Sequence, residues 1–258
     1  MQLKKIYEIA DMVAPFSLST SFCEKFNAYD NSGIQLDCGR EITGILFSLD
    51  LSERTIEEAK RVGANCIFTH HPAIWNPILS LAPNAGADLI VKCIKEQISV
   101  VSAHLNLDLA PNGIDEQLMR GLGGKKALAC MEQIEGGAYG RVYDVPPVPM
   151  QTFVERLKQE FQTERVLFYG EGVKRVASFC GGGFDEKAIA FALENGADTL
   201  VSSDGKHHLI AECIERGLNV VLLTHYAAES YGFTRFAENM KNLLKETPCA
   251  VFTDARLL

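Results

Sequence analysis

The residues best equipped for chemistry fall in three short stretches: Thr69-His70-His71-Pro72, His104-Leu105-Asn106-Leu107-Asp108 and His225-Tyr226-Ala227-Ala228-Glu229. Four of the six histidines lie in them, and each stretch follows a short apolar run that reads as a buried strand. Two share one spacing, His-x-x-x-Asp and His-x-x-x-Glu. Imidazole nitrogens and carboxylate oxygens are the ligands that borderline divalent ions accept, among them Zn, Fe(II), Mn and Ni. Brought to one pocket, the three stretches supply more ligands than a single tetrahedral ion takes. The pattern predicts a site for two divalent metal ions per chain.

His70 and His71 come at the carboxyl end of an expected strand, and Pro72 stops its continuation. Neighbouring side chains in a strand point to opposite faces, so at a strand end the two rings can serve different ions. His104 and Asp108 share one face if the chain turns helical there, because i and i+4 are neighbours on a helix. Pro111-Asn112-Gly113 shortly afterwards fits an irregular path instead. His104 is either a ligand or an orienting group behind one. His225 and Glu229 repeat the spacing, and the two oxygens of Glu229 suit it to bridging paired ions.

The remaining histidines are His207 and His208, close to Asp204 and Lys206. Asp204 and His208 read either as pocket residues or as plain surface. Cys180-Gly181-Gly182-Gly183 lies between an expected strand and helix. It is either a tight turn or an anion site made of bare backbone N–H groups. No Gly-x-x-x-x-Gly-Lys-Ser/Thr, His-Glu-x-x-His or Gly-x-Ser-x-Gly pattern occurs. Serine- or cysteine-nucleophile chemistry therefore has no support.

The elements that must position these groups are legible as apolar runs: Ile45–Leu49, Cys66–Thr69, Ile98–Ala103, Val176–Cys180, Thr199–Ser202, Asn219–Thr224 and Ala250–Thr253. Segments of helical periodicity lie between them, at Glu53–Val62, Leu89–Glu96, Asp185–Glu194 and Leu209–Arg216. That alternation predicts an α/β fold with mainly parallel sheets covered on both faces. The chain also repeats itself. Gly63-Ala64-Asn65-Cys66-Ile67-Phe68-Thr69 parallels Gly196-Ala197-Asp198-Thr199-Leu200-Val201-Ser202, and His104 with Asp108 matches His225 with Glu229. On this repeat His70-His71 correspond to Ser203-Asp204. An internal duplication follows, with a first α/β half over 1–126, a turn-rich connector over 127–150 and a second half over 151–258. Two such halves present strand ends to one crevice, where open α/β sheets bind ligands.

Composition narrows the function classes. The 258 residues are 47% hydrophobic and 22% charged, ample for a core. A net charge of −8 without a basic cluster argues against a nucleic-acid surface. The eight cysteines are scattered, with no Cys-x-x-Cys, which indicates neither a zinc ribbon nor a disulfide framework. No run of eighteen apolar residues is present and the first residues lack a signal-peptide pattern, so a reducing cytoplasm is expected and a membrane partner is not.

Taken in order, these motifs resemble the Nif-three-like (YbgI-like) family, often labelled GTP cyclohydrolase I type 2 homolog. The resemblance covers nearly the whole chain: Asp30-Asn31-Ser32-Gly33-Ile34-Gln35, Thr69-His70-His71-Pro72, His104-x-x-x-Asp108, Gly140-Arg141, Gly181–Gly183, Asp204-x-Lys206-x-His208 and His225-x-x-x-Glu229. It implies two similar, intertwined α/β/α halves with a dinuclear metal centre between them, assembled into a hexameric ring. By motif position His70, His71, Asp108, His225 and Glu229 are the implied ligands, with Glu229 touching both ions and His104 adjacent. The chain departs from the family at Ser203, often Gly, and at His207, often aromatic. Its short connector leaves no room for the domain that some members insert.

Two functions of different class fit. One is a metal-dependent hydrolase of a small nucleotide- or pterin-like substrate, with GTP cyclohydrolase-like activity within reach. It would use a water activated between two metal ions, and His104 or His208 would serve as catalytic proton shuttle. The other is a metal-binding or regulatory scaffold without catalysis.

Overall fold

Strands buried on both faces need near-continuous apolar runs, and the runs above fall in strands, of which only the one holding Ala250–Phe252 is half-exposed along its length. The computed structural model describes residues 1–84 and 86–258. Its elements are, in chain order, α1 (Leu3–Val13), α2 (Ser17–Phe26), β1 (Gly33–Leu36), β2 (Ile45–Ser48), α3 (Glu53–Val62), β3 (Cys66–Thr69), α4 (Asp88–Glu96), β4 (Ser99–Ser102), α5 (Leu105–Leu109) and α6 (Ile114–Gly121). There follow β5 (Ala129–Ile134), β6 (Gly137–Pro149), α7 (Met150–Glu160), β7 (Leu167–Tyr169), β8 (Gly172–Ser178), α8 (Glu186–Glu194), β9 (Thr199–Ser202), α9 (His207–Glu215), β10 (Asn219–Leu222), α10 (His225–Leu244) and β11 (Cys249–Phe252). Packing divides the chain into two compact units, Met1–Ala110 with Phe233–Thr253 and Pro111–Gly232 with Asp254–Leu258.

The first unit is built on a five-stranded sheet of order β1-β4-β3-β2-β11. Every pair is parallel except β1 with β4 at one edge. All residues of β2, β3 and β4 are buried. Strand alternation sends Leu46, Ile67 and Val100 to one face, where they pack with Ile56 and Ala59 of α3 and Cys93 of α4. It sends Phe47 and Phe68 to the other, where their rings meet each other at 5.4 Å and Phe68 meets Phe236 at 5.5 Å. Local signals fix the helix that follows β2. Ser52 and Thr55 close a capping box at the start of α3, and Gly63 ends it in the left-handed conformation at φ 73°.

The second unit carries a six-stranded sheet of order β5-β6-β8-β9-β10-β7. Its centre, β8-β9-β10, is parallel, and antiparallel pairs flank it on both sides. The signals of the first unit recur here: the Asp185 carboxylate accepts from Ala188 N–H at 2.8 Å to cap α8, and Gly196 follows it at φ 66°. Ala64 and Ala197, one residue after each glycine, are both buried beside their sheets. The sequence repeat is thus a repeat of strand, capped helix, glycine stop and strand. Residues 127–150, expected as a turn-rich connector, form the β5–β6 hairpin around Glu135-Gly136. Pro146 and Pro147 fall where the β6–β8 register slips between Asp144 and Val148, a place where a missing N–H is tolerated. α9 begins at His207, two residues earlier than its periodicity indicates. Among the described residues no helix is long and apolar enough to cross a membrane, and all eight cysteines are free.

Candidate metal site

Sheet register explains how separate segments of the first unit meet. Ser48 pairs with Thr69 and Thr69 with Ser102, so Asp50, His71 and His104 stand at one height, two residues beyond three neighbouring parallel strands. One residue lower, His70 faces Ala103. The backbone N–H groups of His70 and His71 both donate to Leu49 O, at 3.1 and 3.0 Å, which fixes the turn after β3. The Thr69 hydroxyl lies 2.7 Å from that of Ser102 and donates to His71 O at 2.8 Å.

Each imidazole of this unit is anchored through Nδ1. His70 Nδ1 lies 2.8 Å from Ala103 O, His71 Nδ1 lies 2.6 Å from Asp50 Oδ1, and His104 Nδ1 lies 2.7 Å from Asp30 Oδ1. A carbonyl or carboxylate oxygen can only accept, so Nδ1 carries the proton in each ring and Nε2 presents its lone pair. One ligand atom from each of the three histidines lies within 4.8 Å of the others. His70 Nε2 is 3.6 Å from Asp108 Oδ1. That separation is too long for a hydrogen bond and suits two ligands of one cation. His70 is fully buried and Asp108 nearly so, on the short helix α5. Asn106 secures that helix, its Nδ2 donating to Ala14 O at 2.7 Å.

Asp30 is the most heavily worked support. Its Oδ2 accepts from Ser19 and Ser32, and Ser32 Oγ in turn accepts from His104 N–H at 3.0 Å. Burial alone pushes the Asp30 carboxyl up. The hydrogen bonds from His104, Ser19 and Ser32 outweigh it and bring the pKa down to about 2. Asp30 is therefore a firm anion behind His104.

The second unit holds the other pair. His225 opens α10, with Nδ1 at 2.6 Å from Asp204 Oδ2 and Nε2 at 3.0 Å from Glu229 Oε2, one turn along the helix. Glu229 is buried. Gly181 lies against it: its φ is 58°, and a Cβ there would collide with Glu229 Oε1. The turn itself is pinned from three sides. Asp115 accepts from Cys180 N–H at 3.3 Å, Tyr139 O–H donates to Cys180 O at 2.6 Å, and Ser202 Oγ donates to Phe179 O at 3.0 Å. Asp115 also accepts from Gly140 N–H at 3.1 Å and pairs with the buried Arg141 guanidinium. Burial pushes the Asp115 carboxyl up, while Arg141 and the two backbone donors favour its anion. The glycine run is a turn that shapes the surroundings of Glu229.

Three residues that sequence reasoning left unassigned thus take roles: Asp50 behind His71, Asp115 beneath the glycine turn and Tyr139 beside it. None of the three has a local signal: Asp50, for one, meets His71 only through the register of β2 and β3. His208 is exposed in the first turn of α9 and belongs to none of the groups of possible metal ligands among the described residues.

The Duf34/NIF3 (NGG1p interacting factor 3) family profile matches residues 1–255. The GTP cyclohydrolase 1 type 2 homolog of Clostridium perfringens is 29% identical over 253 residues, covering 95% of this chain and 93% of that protein. Among solved structures, reduced HcgD from Methanocaldococcus jannaschii superposes with a TM-score of 0.78 at 26% identity, over 97% of each chain. Staphylococcus aureus protein SA1388 superposes at 0.84 with 24% identity, over 98% of this chain and 97% of that one.

Proposed function

The chain belongs to the Duf34/NIF3 family, and from that premise we propose that it is a dinuclear divalent-metal hydrolase acting on a small nucleotide- or pterin-like substrate. His70, His71, Asp108, His225 and Glu229 are the ligands in this reading. One observation carries it: all four histidines of the three motifs have Nδ1 fastened to an oxygen acceptor. Such fastening fixes tautomer and ring direction and raises ligand basicity, the usual support behind metal-bound histidine. The donor set fits Zn, Fe, Mn or Ni, all nitrogen and oxygen without thiolate.

Two divalent ions, when bound, lower the pKa of water and clamp attacking and leaving oxygens. The chain's own residues do the rest. Asp50 and Asp204 hold the protons on His71 and His225 Nδ1, and Gly181 leaves the space that the Glu229 carboxylate needs. His104 is the proton shuttle that the site equips. Its Nδ1 is held by Asp30 Oδ1 at 2.7 Å, which leaves Nε2 to accept a proton and return it to a leaving group. His208 is a second candidate, without such a partner among the described residues. The curated relatives' name makes GTP the first substrate to try. A hexameric ring in the cytoplasm belongs to the same proposal and rests on the family resemblance; light scattering should return six times the chain mass of 28.4 kDa.

The test is turnover of GTP, and of a panel of nucleotides and pterins, by protein stripped with chelator and reloaded with each metal. The reading expects activity that returns with metal and falls about a hundredfold in His104→Ala, with bound metal unchanged. Full metal loading without turnover of any panel member would contradict it and favour a metal-binding scaffold.

A further inference from the structure

The hydrolase reading leaves an aromatic pair unused beside His104. Trp75, the chain's single tryptophan, is 43% exposed, and Tyr29 is 55% exposed. Their rings meet at 5.5 Å and 88°, and the indole meets the His104 ring at 5.4 Å and 86°. Exposed aromatic side chains on a loose loop would carry no argument, but this loop is fastened. Asn31 Nδ2 donates to Ile74 O at 2.6 Å, Ile74 N–H donates to Gln35 Oε1 at 3.1 Å, and Gln35 Nε2 donates to Asn31 O at 2.6 Å. The Tyr29 hydroxyl donates to Trp75 O at 2.9 Å. The segment Asp30-Asn31-Ser32-Gly33-Ile34-Gln35 therefore performs two tasks. Asp30 and Ser32 set His104, and Asn31 and Gln35 set the backbone that carries Trp75.

Fixing an indole in place while leaving it open to solvent forgoes its burial, and open aromatic surface beside polar groups marks a recognition site. Two rings at right angles form a corner in which a flat ring lies stacked on one and edge-on to the other. Both arrangements are favoured by the ring quadrupoles. A bare phosphate gains neither, and a saturated sugar has no ring quadrupole to meet both faces of the corner. We infer that Tyr29 and Trp75 are the platform on which a flat heteroaromatic ring of the substrate stacks, within one ring's width of His104. This inference rests on the hydrolase reading for its ligand, and it makes Tyr29 and Trp75 specificity-determining residues.

Because Trp75 is the only indole, its fluorescence in the full chain reports the platform directly. Guanosine, adenosine and pterin would each be titrated against the intact protein, with ribose 5-phosphate and inorganic tripolyphosphate as non-aromatic controls. The platform predicts saturable quenching by at least one of the aromatic probes and by neither control. Calorimetry with that probe should show Trp75→Phe binding within about threefold of the parent and Trp75→Ala about tenfold or more weaker, as base–aromatic stacking implies. Tyr29→Ala should also bind more weakly, and metal content should be unchanged in all three variants. Saturable binding of the controls alone, no saturable binding of any probe, or parental affinity in Trp75→Ala would overturn the inference. Aromatic binding by protein that loads metal fully yet turns over no member of the panel would leave the platform standing and sink the hydrolase reading instead.

Discussion

The two units answer the same sequence repeat with different chemistry. In the first, the positions after β3 are His70 and His71, and both are candidate ligands. In the second, the corresponding positions after β9 are Ser203 and Asp204, and Asp204 instead holds His225 by its Nδ1. One copy offers three imidazoles, each fastened by a different segment: Ala103, Asp50 and Asp30. The other offers one imidazole and one buried carboxylate on a single helix, with its effort spent on the glycine turn behind Glu229. Duplication supplied the strand ends, and divergence divided the labour between ligand and support.

Breaking the support of the second unit should have the largest effect. Arg141→Ala leaves Asp115 buried without its cation and should cost about 3–5 kcal/mol, read as a fall in Tm of roughly 10 °C. A Tm within a degree of the parent would show that the turn needs no such anchor. Gly181→Ala comes next. It places a side chain in the left-handed region and against Glu229, so a loss of about 2 kcal/mol is expected, together with reduced metal uptake.

The comparison between units is sharpened by removing one supporting charge from each. Asp50→Asn and Asp204→Asn should each weaken metal binding about tenfold to a hundredfold, with little change in melting temperature of the metal-free protein. If only one of them weakens binding, the metal depends on one unit alone. The smallest effect is on acid stability. Asp30 ionises more readily folded, at about 2, than its ordinary 3.8. Its contribution is therefore present above pH ~4 and lost as the pH falls through about 2. In metal-free protein, Asp30→Asn should flatten the stability–pH curve between those values by on the order of 2 kcal/mol; an unaltered slope would remove Asp30 as a buried anion.

How much of this was legible in the chain follows from what each feature depends on. β2, β3, β4, β9 and β10 were readable because strands buried on both faces carry near-continuous apolar runs, broken here mainly at their ends by small hydroxyl side chains. The helices α3 and α8 were readable from their apolar periodicity, and their caps appear only in the structure. The β5–β6 hairpin was not, because Gly136, Gly140 and the prolines read as breaks, whereas Gly140 sits within the strand at φ 69° and the prolines sit at a register slip. At the candidate site, His70, His71, Asp108, His225 and Glu229 stand out by residue type and spacing. Their partners do not. Asp50 meets His71 only through the parallel register of β2 and β3, and Asp115 reaches Cys180 from a helix 65 residues away in the chain. Partnerships set by register and packing leave no local signature.

The central proposal is that His70, His71, Asp108, His225 and Glu229 hold two metal ions. Elemental analysis of protein purified without added metal, beside His71→Ala and Glu229→Ala, tests it most directly. The account predicts about two ions per chain in the parent, as a dinuclear site requires, and a marked loss in each variant. One ion or none, unchanged by either substitution, would contradict it.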